Sequence, residues 1–328
     1  MRKYRVAIVG ATGMVGQTFI EVLKERQFPI ESISFFASAN SHGREIAFDG
    51  KIYLIETLTK SSFDRGFDFA LFSAGSDISL EYAQIAADQN IIVIDNSSAW
   101  RMKPGISLVV PEVNASVLTK NDKIIANPNC STIQAVVPLK IIDDLFNITR
   151  ITYSTYQAVS GSGYQGIADL KRGYNNEENL FYDKSIYDNC FPHIDDFLET
   201  GYTKEEQKMI DETMKILNKK IKISATCVRI PVTIGHSISV HVECEKAIDL
   251  NQLRHAYKEN NDIVFYEHNT YPTPKDVVGN DLVHVGRLRK DLSVDHGVIL
   301  WVVADNIRKG AATNAVQIAE YLIKEDLV

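Results

Sequence analysis

Short apolar runs alternate with amphipathic stretches through the first third of the chain. Residues 4–9 form a compact apolar run that predicts a strand, and residues 14–26 have the spacing of a helix. The pattern continues with four more predicted strands and one more helix, namely strands at 33–37, 67–72, 91–95 and 123–126 and a helix around 80–88. Short strands alternating with helices imply right-handed crossovers, so this part of the chain predicts a parallel sheet.

From about residue 149 the pattern changes to a period of two. Ile151, Tyr153, Thr155 and Gln157 alternate with polar or smaller residues, and every second position over 236–244 alternates with a polar one, which predicts a sheet with one buried and one solvated face. Residues 311–322 return to helical spacing and are expected to pack back on the first domain. The polar stretch 173–189 predicts a long surface excursion.

Length and composition then exclude several classes of protein. A chain of 328 residues corresponds to two domains at roughly 150 residues each. Lys+Arg 35 against Asp+Glu 42 leaves a net charge of −7, so no basic excess is available for binding nucleic acid. No apolar run approaches the roughly 18 residues of a membrane span, and the start is too short for a signal peptide. We therefore expect a soluble cytoplasmic protein with neither nucleic-acid nor membrane partners.

A glycine-rich turn follows the first predicted strand. Gly10, Gly13 and Gly16 permit a tight turn and let backbone N–H groups approach a pyrophosphate at the start of a helix. The spacing is G-x-x-G-x-x-G, which leaves open a turn without a ligand, but its place in a βαβ pattern favours a dinucleotide. The segment 36–44 lacks the acidic residue expected for an unphosphorylated ribose, and its hydroxyls and Arg44 suit a 2′-phosphate. NADP is therefore the predicted cofactor.

Cys130 is the best candidate for a nucleophile among the four cysteines. Cys130 follows the turn and cap residues Pro128 and Asn129 and precedes a helical stretch, where the helix dipole lowers the pKa of a thiol. Position alone leaves open a buried structural cysteine. The other three cysteines lie in apolar or strand contexts and are interpreted as packing residues. With no C-x-x-C pair, the cysteines disfavour a zinc site or disulfides and fit a reducing compartment.

Thiolate chemistry needs a proton-transfer partner, for which histidine is suited. His236 lies on the apolar face of its predicted strand beside Gly235, whereas His241 falls on the polar face. A histidine at such a rim is more often a boundary residue than a catalyst. Thr203 and Glu206 have the spacing of a capping box. The Glu205 and Lys208 side chains would share a helix face, which by itself predicts only an exposed ion pair.

Taken together, these segments resemble the aspartate-semialdehyde dehydrogenase family of bacteria, in a Gram-positive-like branch. The matching segments run in order through almost the whole chain: 10–16, 72–75, 95–97 with Arg101, 110–114, 127–134, 154–161, 205–208, 225–231 with His236, 285–292 and 309–314. The N-P-N-C-S-T and Y-Q-A-V-S-G segments at this separation are highly specific. The resemblance implies reversible, NADP-dependent reductive dephosphorylation of aspartyl 4-phosphate to aspartate 4-semialdehyde, which feeds lysine, threonine and methionine synthesis.

The resemblance also implies roles for individual residues. Cys130 would be the nucleophile that forms a thioacyl intermediate, His236 the acid/base, and Gln157 the residue that orients the acyl group. The implied substrate contacts are Arg229 for the α-carboxylate, Glu205 for the α-ammonium, and Arg101, Asn129 and Lys208 for the phosphate. The implied cofactor contacts are Gly10, Thr12, Gly13, Met14, Val15, Ser38, Asn40, Ser41, Ser73, Gly75, Ser160, Gly161 and Asn314. No metal is implied.

The chain departs from the family pattern in two places, and one spacing within the matching segments conflicts with a regular strand. Asn40 stands where many relatives carry arginine, which bears on NADP selection. The region 166–196 matches poorly. Arg229 and His236 are seven positions apart, so one unbroken strand would point them to opposite faces. We therefore predict that Pro231 and Gly235 mark a bend or a change of strand that lets both side chains reach Cys130.

The predicted fold is α/β, with a Rossmann-like domain from 1–129 completed by 308–328. An α+β catalytic and dimerisation domain with a mixed sheet is predicted at 130–307, and its extended sheet face favours a homodimer, with a tetramer open. One alternative is a related acyl-phosphate reductase, for example for N-acetylglutamyl phosphate. An acidic residue for a primary amine argues against that substrate, because an acetylated amine carries no charge. The other alternative is a non-catalytic dinucleotide-binding paralogue.

Overall fold

The computed structural model describes residues 2–328, which form fifteen strands and eight α-helices. The strands are β1 (Tyr4–Val9), β2 (Ile30–Ala37), β3 (Glu45–Phe48), β4 (Lys51–Leu54), β5 (Glu56–Thr57), β6 (Phe69–Phe72), β7 (Ile92–Asp95), β8 (Ser107–Leu108), β9 (Ile124–Ala126), β10 (Ile148–Gln157), β11 (Lys222–Arg229), β12 (His236–Cys244), β13 (Ile263–Phe265), β14 (Val283–Lys290) and β15 (Gly297–Ala304). The helices are α1 (Met14–Glu25), α2 (Ser76–Asp88), α3 (Pro111–Asn114), α4 (Cys130–Phe146), α5 (Gly163–Tyr174), α6 (Lys204–Ile216), α7 (Leu250–Glu259) and α8 (Thr313–Lys324). The chain divides into two compact units. One runs to Pro128 and is completed by Ala311–Val328, and the other is Asn129–Gly310.

The first unit is built on a seven-stranded sheet in the order β5-β2-β1-β6-β7-β9-β8, and all of its pairings are parallel. The parallel sheet and its alternating helices confirm the α/β prediction. Predicted strands and helices recur with boundaries shifted by a few residues. Strands β5 and β8 were not predicted, because two residues carry no periodic signal.

Close backbone contact shapes the turn between β1 and α1. Gly10 has φ +86°, and a Cβ there would lie 2.3 Å from the carbonyl oxygen of Ser73 at the end of β6. A Cβ on Gly16 would lie 2.2 Å from the carbonyl oxygen of Gly10. At both positions a side chain would clash with the backbone. Gly10 is needed where the turn approaches β6, and Gly16 is needed where α1 packs on the turn.

The second unit is built on a mixed six-stranded sheet in the order β11-β10-β12-β15-β14-β13. Strand β10 lies between β11, to which it is parallel, and β12, to which it is antiparallel. The predicted alternation is confirmed, since every second residue of β12 from His236 to Cys244 is buried. This unit therefore has the mixed sheet that the sequence predicted.

The change of strand between Arg229 and His236 is also confirmed. Arg229 ends β11 and His236 begins β12, on opposite sides of β10. Arg229 pairs with Gln157, the last residue of β10, and Ser237 pairs with the preceding Tyr156. All three predicted site residues thus lie at one edge of the sheet, although they come from three strands.

The segment between α5 and α6 contains no regular helix or strand. Many of its side chains are exposed, as predicted, but it is anchored at both ends. The buried carboxylate of Asp169 in α5 accepts backbone N–H groups from Leu180, Phe181 and Tyr182. An isolated bridge joins Phe191 to Arg229. None of the helices in residues 2–328 is long and apolar enough to cross a membrane.

Candidate active site and cofactor pocket

Cys130 is the first residue of α4, as predicted. The side chain of Asn129 caps the helix, with Oδ1 accepting the N–H groups of Ser131 at 2.9 Å and Thr132 at 3.3 Å. A thiolate at the start of a helix is stabilised by the positive end of the helix dipole. Gly310 packs directly on Cys130, and a Cβ there would lie 3.0 Å from the Cys130 Cβ. The nucleophile candidate therefore occupies a fixed position at the positive end of a helix.

His236 is fully buried, and its protonation state can be read from its contacts. Its Nδ1 accepts the backbone N–H of Ala158 at 3.0 Å, so the proton of the neutral ring lies on Nε2. Nε2 is buried and has no hydrogen-bond partner among residues 2–328. Burial, and then the Arg229 guanidinium, hold the pKa of His236 well below its usual value. In this arrangement the ring is neutral and Nε2 is a hydrogen-bond donor.

Arg229 is held by the same residue as His236. Its Nη1 donates to the carbonyl oxygen of Ala158 at 2.7 Å. A Cβ on Gly161 would lie 2.6 Å from Arg229 Nη1 and 3.4 Å from His236 Nε2. The two side chains therefore meet beneath the loop that follows β10. Gly161, predicted as a cofactor contact, packs on both of them.

Glu205, the second residue of α6, is buried and accepts two amides. Its Oε1 accepts Asn129 Nδ2 at 2.9 Å and Gln157 Nε2 at 3.2 Å, while Oε2 pairs with Lys208 at 3.3 Å. Burial raises the pKa of Glu205, but the Lys208 ammonium, the Asn129 amide, Arg229 and Gln157 together lower it below its usual value. Glu205 is therefore an ionised carboxylate in a buried site, which the pattern of an exposed ion pair did not predict.

Lys208 has a second acidic partner that the sequence analysis missed. Its Nζ lies 2.7 Å from Asp195 Oδ2, in the segment before α6. Burial raises the pKa of Asp195, but hydrogen bonding to Lys208 and its charge lower it overall. Lys208, which is predicted to bind the phosphate of the substrate, thus lies between the carboxylates of Asp195 and Glu205. Asp195 falls in the region that matched the family poorly, so no motif marked it.

Most of the predicted catalytic and substrate-binding residues lie in the second unit. Hydrogen bonds connect Asn129, Gln157, Glu205 and Lys208. Arg101 lies in the first unit, where Nε donates to the carbonyl oxygen of Asn127 and Nη2 to that of Asn96, each at 2.9 Å. Residues 2–328 contain no group of three or more His, Cys, Asp or Glu side chains that could hold a metal ion.

The first unit contains a pocket of about 380 Å³ at the carboxyl ends of β1, β2 and β6. Carboxyl ends of parallel strands are where open α/β sheets bind their ligands. Five predicted cofactor residues line it, namely Gly10, Thr12, Gly13, Ser38 and Ser73. Ala39, within the predicted stretch 38–41, also lines it, and the lining residues that were not predicted are Val9, Ala37, Thr57, Leu58, Ala74, Ile78 and Tyr82. Ile78 and Tyr82 are four apart on α2, a spacing that could have marked them.

The remaining predicted cofactor residues do not line this pocket. Met14, Val15, Asn40, Ser41 and Gly75 lie beside it in the sequence but are absent from its lining. In the second unit, the Ser160 hydroxyl hydrogen-bonds the buried side chain of Asn306. In the first unit, buried Asn314 donates from Nδ2 to Val109 O at 3.0 Å and to Asn127 Oδ1 at 2.7 Å.

The residues of the pocket fit a nicotinamide dinucleotide. Gly10 removes a side chain where the turn between β1 and α1 comes close to β6. The pocket ends at the first turn of α1, where N–H groups and the helix dipole favour a phosphate. None of the lining residues is acidic, so nothing there repels a charged 2′-substituent.

Gly10→Ala tests how far the pocket depends on this turn. We expect the free energy of unfolding to fall by about 3 kcal/mol, from the left-handed backbone and the clash with Ser73. Urea denaturation measures this loss of stability, and cofactor titration measures whether the pocket still binds. Gly50→Ala is the matched control, because Gly50 has φ +73° but open space around it, and we expect a loss of about 1 kcal/mol. Equal losses in the two variants would contradict the steric role of Gly10.

Comparisons with known proteins agree with this geometry. A family model described as the semialdehyde dehydrogenase NAD-binding domain matches residues 5–121, and one described as the semialdehyde dehydrogenase dimerisation domain matches residues 139–309. An aspartate-semialdehyde dehydrogenase from Aquifex aeolicus is 51% identical over 338 residues, covering 99% of each chain. The chain belongs to the aspartate-semialdehyde dehydrogenase family.

Further members of the aspartate-semialdehyde dehydrogenase family are similar over their whole length. Aspartate-semialdehyde dehydrogenase 2 from Vibrio cholerae is 47% identical, covering 99% of each chain. A crystal structure described as aspartate semialdehyde dehydrogenase II complexed with ASA, also from Vibrio cholerae, has a TM-score of 0.96 at 45% identity and 99% coverage of each chain. The relatives come from diverse bacteria, so the prediction of a Gram-positive-like branch is not borne out. As a member of this family, the chain is an oxidoreductase with a Rossmann-like NAD-binding domain and a dimerisation domain.

Proposed function

We propose that the protein catalyses the reversible reductive dephosphorylation of L-aspartyl 4-phosphate to L-aspartate 4-semialdehyde, in lysine, threonine and methionine biosynthesis. The observation that carries this proposal is the buried cluster beside the start of α4, where ionised Glu205 is bonded to Asn129 and Gln157. Opposite charges at Glu205 and Arg229 suit an amino acid, which is a zwitterion. The Vibrio cholerae relative described as complexed with ASA supports the same substrate.

Cys130 is the nucleophile in this proposal. Its thiolate attacks the acyl carbon of aspartyl phosphate, forming a C–S bond while the C–O bond to phosphate breaks and inorganic phosphate leaves. When bound, the nicotinamide cofactor supplies the hydride that reduces the thioester, or accepts it in the reverse direction. Hydride addition leaves the oxyanion of a hemithioacetal, and as its C–O double bond re-forms the C–S bond breaks, which releases the aldehyde and regenerates the thiolate. The first turn of α4 stabilises that thiolate in both directions.

His236 handles the charge that develops on the substrate oxygen. As the thiolate adds, negative charge accumulates on the former carbonyl oxygen, and Nε2–H is a donor suited to it. Accepting a proton as a base would require Nε2 to lose its own, because the Ala158 N–H occupies Nδ1. Donation is therefore the part of the acid/base role that this geometry favours. Gln157, fixed by Glu205 and Thr155, orients the acyl group.

Five further residues complete substrate binding in the proposal. Arg229 binds the α-carboxylate with its planar guanidinium, and Glu205 receives the α-ammonium. Asn129, Lys208 and Arg101 are the proposed phosphate-binding residues. Lys208 would then exchange part of its contact with Asp195 for phosphate.

NADP is the proposed cofactor, bound by the first unit. The absence of an acidic side chain from the pocket lining, where NAD-dependent enzymes place one on the ribose, supports NADP. Ser38 lines the pocket and Arg44 lies exposed nearby in sequence, both suited to a 2′-phosphate. The second unit, matched by the dimerisation domain, would form the homodimer.

The alternative substrate N-acetylglutamyl phosphate is disfavoured by Glu205. Its carboxylate is buried and ionised, and an acetylated amine would leave it without a charged partner from the substrate. A non-catalytic paralogue would have no need of Cys130 at a helix start and a buried unpartnered donor on His236 together.

A spectrophotometric assay tests the proposed function. Purified protein is mixed with aspartate semialdehyde, with or without phosphate, and with NADP⁺ or NAD⁺ in parallel. We expect phosphate-dependent formation of NADPH, faster than that of NADH. No phosphate-dependent reduction of either cofactor would overturn the proposed reaction, and faster reduction of NAD⁺ would overturn the cofactor assignment alone.

Arg229→Lys tests the carboxylate contact. Lysine keeps the charge but loses the planar pair of donors and the bond to Ala158. We expect kcat/KM for aspartate semialdehyde to fall by about 100-fold or more, mainly through KM. Arg172→Lys, at a half-exposed ion pair with Glu177, is the control and should leave both constants unchanged. An unchanged KM in R229K would rule out the proposed contact.

A further inference from the structure

Glu212 is a buried carboxylate of α6 that no motif marked and that the reaction described above does not use. Its side chain is 1% exposed, and Oε2 accepts the backbone N–H of Asn129 at 2.6 Å. A buried carboxylate is costly unless it is hydrogen-bonded, so a defined contact of this kind has a structural purpose. Asn129 is the residue directly before Cys130.

The other polar groups of Asn129 are engaged as well. Oδ1 accepts two N–H groups of the first turn of α4, and Nδ2 donates to Glu205. The Asn129 carbonyl oxygen accepts the N–H of Ile133 at 2.9 Å. With the bond to Glu212, both the backbone and the side chain of this residue are fixed. The peptide that leads into Cys130 is therefore held by two helices, α4 and α6.

The α6 residues that make these contacts lie on one face of the helix. Glu205 and Glu212 are seven positions apart, two turns of an α-helix. Met209, between them, accepts a hydrogen bond from the Thr132 hydroxyl, with Sδ and Oγ1 3.6 Å apart. A capping box fixes the start of the helix. One rigid face of α6 thus presents three side chains to the start of α4.

We propose that Glu212 is a positioning residue that fixes the Asn129 backbone and thereby holds the Cys130 sulfur against the reacting carbonyl. The inference rests on the proposed function, in which Cys130 is the nucleophile. Glu212 acts through the acceptor that it offers to the Asn129 N–H. Its effect falls on kcat, because misplacing a reacting atom by about 1 Å can cost about 100-fold in rate.

Two substitutions separate the reach of the side chain from its charge. Glu212→Gln keeps an acceptor oxygen at the same reach without the charge, whereas Glu212→Asp keeps the charge but withdraws it by one methylene. We expect E212D to lower kcat by about 10- to 100-fold while KM for aspartate semialdehyde changes by less than about 3-fold. We expect E212Q to stay within about 3-fold of the kcat of the wild type.

Thr213→Val is the matched control, because Thr213 is the next residue of α6 and is fully buried. Its hydroxyl bonds Tyr153 at an O···O distance of 3.1 Å, so T213V loses a buried hydrogen bond that does not involve Asn129. We expect T213V to keep the kcat of the wild type. Hydrogen exchange of a peptide covering 127–135 adds a readout that needs no activity. Exchange should be faster in E212D than in the wild type, E212Q or T213V.

The possible results lead to different conclusions. Normal kcat and normal exchange in E212D, or a larger loss in E212Q than in E212D, would overturn the positioning role, the second result because charge would then matter more than reach. An equal loss of kcat in T213V would overturn it too, since any weakening of α6 would suffice. A wild-type protein without phosphate-dependent activity would overturn the proposed function, and the exchange rates would still decide whether Glu212 fixes Asn129.

Discussion

Replacing Cys130 by alanine is expected to lower kcat by at least about 10⁴-fold, because alanine cannot form the thioacyl intermediate. The substitution removes only a sulfur from the first residue of α4, whose start is capped by Asn129 and whose packing on Gly310 is unaffected. The fold and the cofactor pocket of the first unit should therefore remain. Initial rates of NADPH formation from aspartate semialdehyde and phosphate measure the loss.

Cys190→Ala is the matched control for that experiment. Cys190 is an exposed cysteine of the same unit, in the segment before α6, and its loss should leave kcat unchanged. Labelling with iodoacetamide, read by peptide mass spectrometry, should modify Cys130 and inactivate the enzyme in step. A C130A variant that retains more than about a tenth of the wild-type kcat would remove Cys130 from the mechanism.

The second large effect is expected at His236, where two substitutions distinguish a hydrogen-bond donor from a general base. Glutamine can present an N–H near the position of Nε2, whereas the shorter asparagine reaches only the position of Nδ1. If Nε2–H stabilises charge on the substrate oxygen, H236N should lower kcat by about 10²- to 10³-fold and H236Q by clearly less. If His236 acts only as a base, both should lose about 10²- to 10⁴-fold alike. Steady-state kcat and KM for the two variants decide between the roles.

The pH dependence of stability offers an independent check on His236. Burial, and then Arg229, keep the pKa of His236 well below its usual value in the folded protein. Below about pH 6.5, His236 binds a proton in the unfolded chain but not in the folded protein. The free energy of unfolding therefore falls as the pH is lowered from about 6.5 toward the pKa of the folded state. H236Q should lose this part of the pH dependence of unfolding, measured by urea denaturation between pH 5 and 8. His255→Gln, at an exposed position on α7, is the control and should keep it.

Much of the site could be predicted from sequence where local rules govern it. The cap at Asn129, the capping box at Thr203 and the helix start at Cys130 each depend on a few consecutive residues, and each is present. The change of strand between Arg229 and His236 followed from their odd spacing, once the family resemblance required both side chains to reach one site. Local chemistry is sufficient for the caps, whereas the strand change also needed that resemblance.

What the sequence did not reveal depends on contacts between distant segments. Glu212 contacts a backbone N–H eighty-three positions away, and a backbone group leaves no mark in the residue pattern. The position of the ring proton of His236 could not be predicted from sequence either, because it depends on the backbone N–H of Ala158 and not on a side chain. The pair of Glu205 and Lys208 predicted a surface contact, and only the packing of α6 against the start of α4 makes Glu205 a buried charge.

Ala158, the residue directly after β10, contacts two residues of the proposed site. The N–H of Ala158 holds the His236 ring and its carbonyl oxygen holds the Arg229 guanidinium. Both anchors are backbone atoms, and the Ala158 side chain is itself fully buried, so a larger residue at this position would disturb both partners. In the proposed mechanism, a small molecule that displaces this loop would therefore remove the anchors of the α-carboxylate contact and of the charge-stabilising donor together. An inhibitor designed on that basis would not need to react with a thiol.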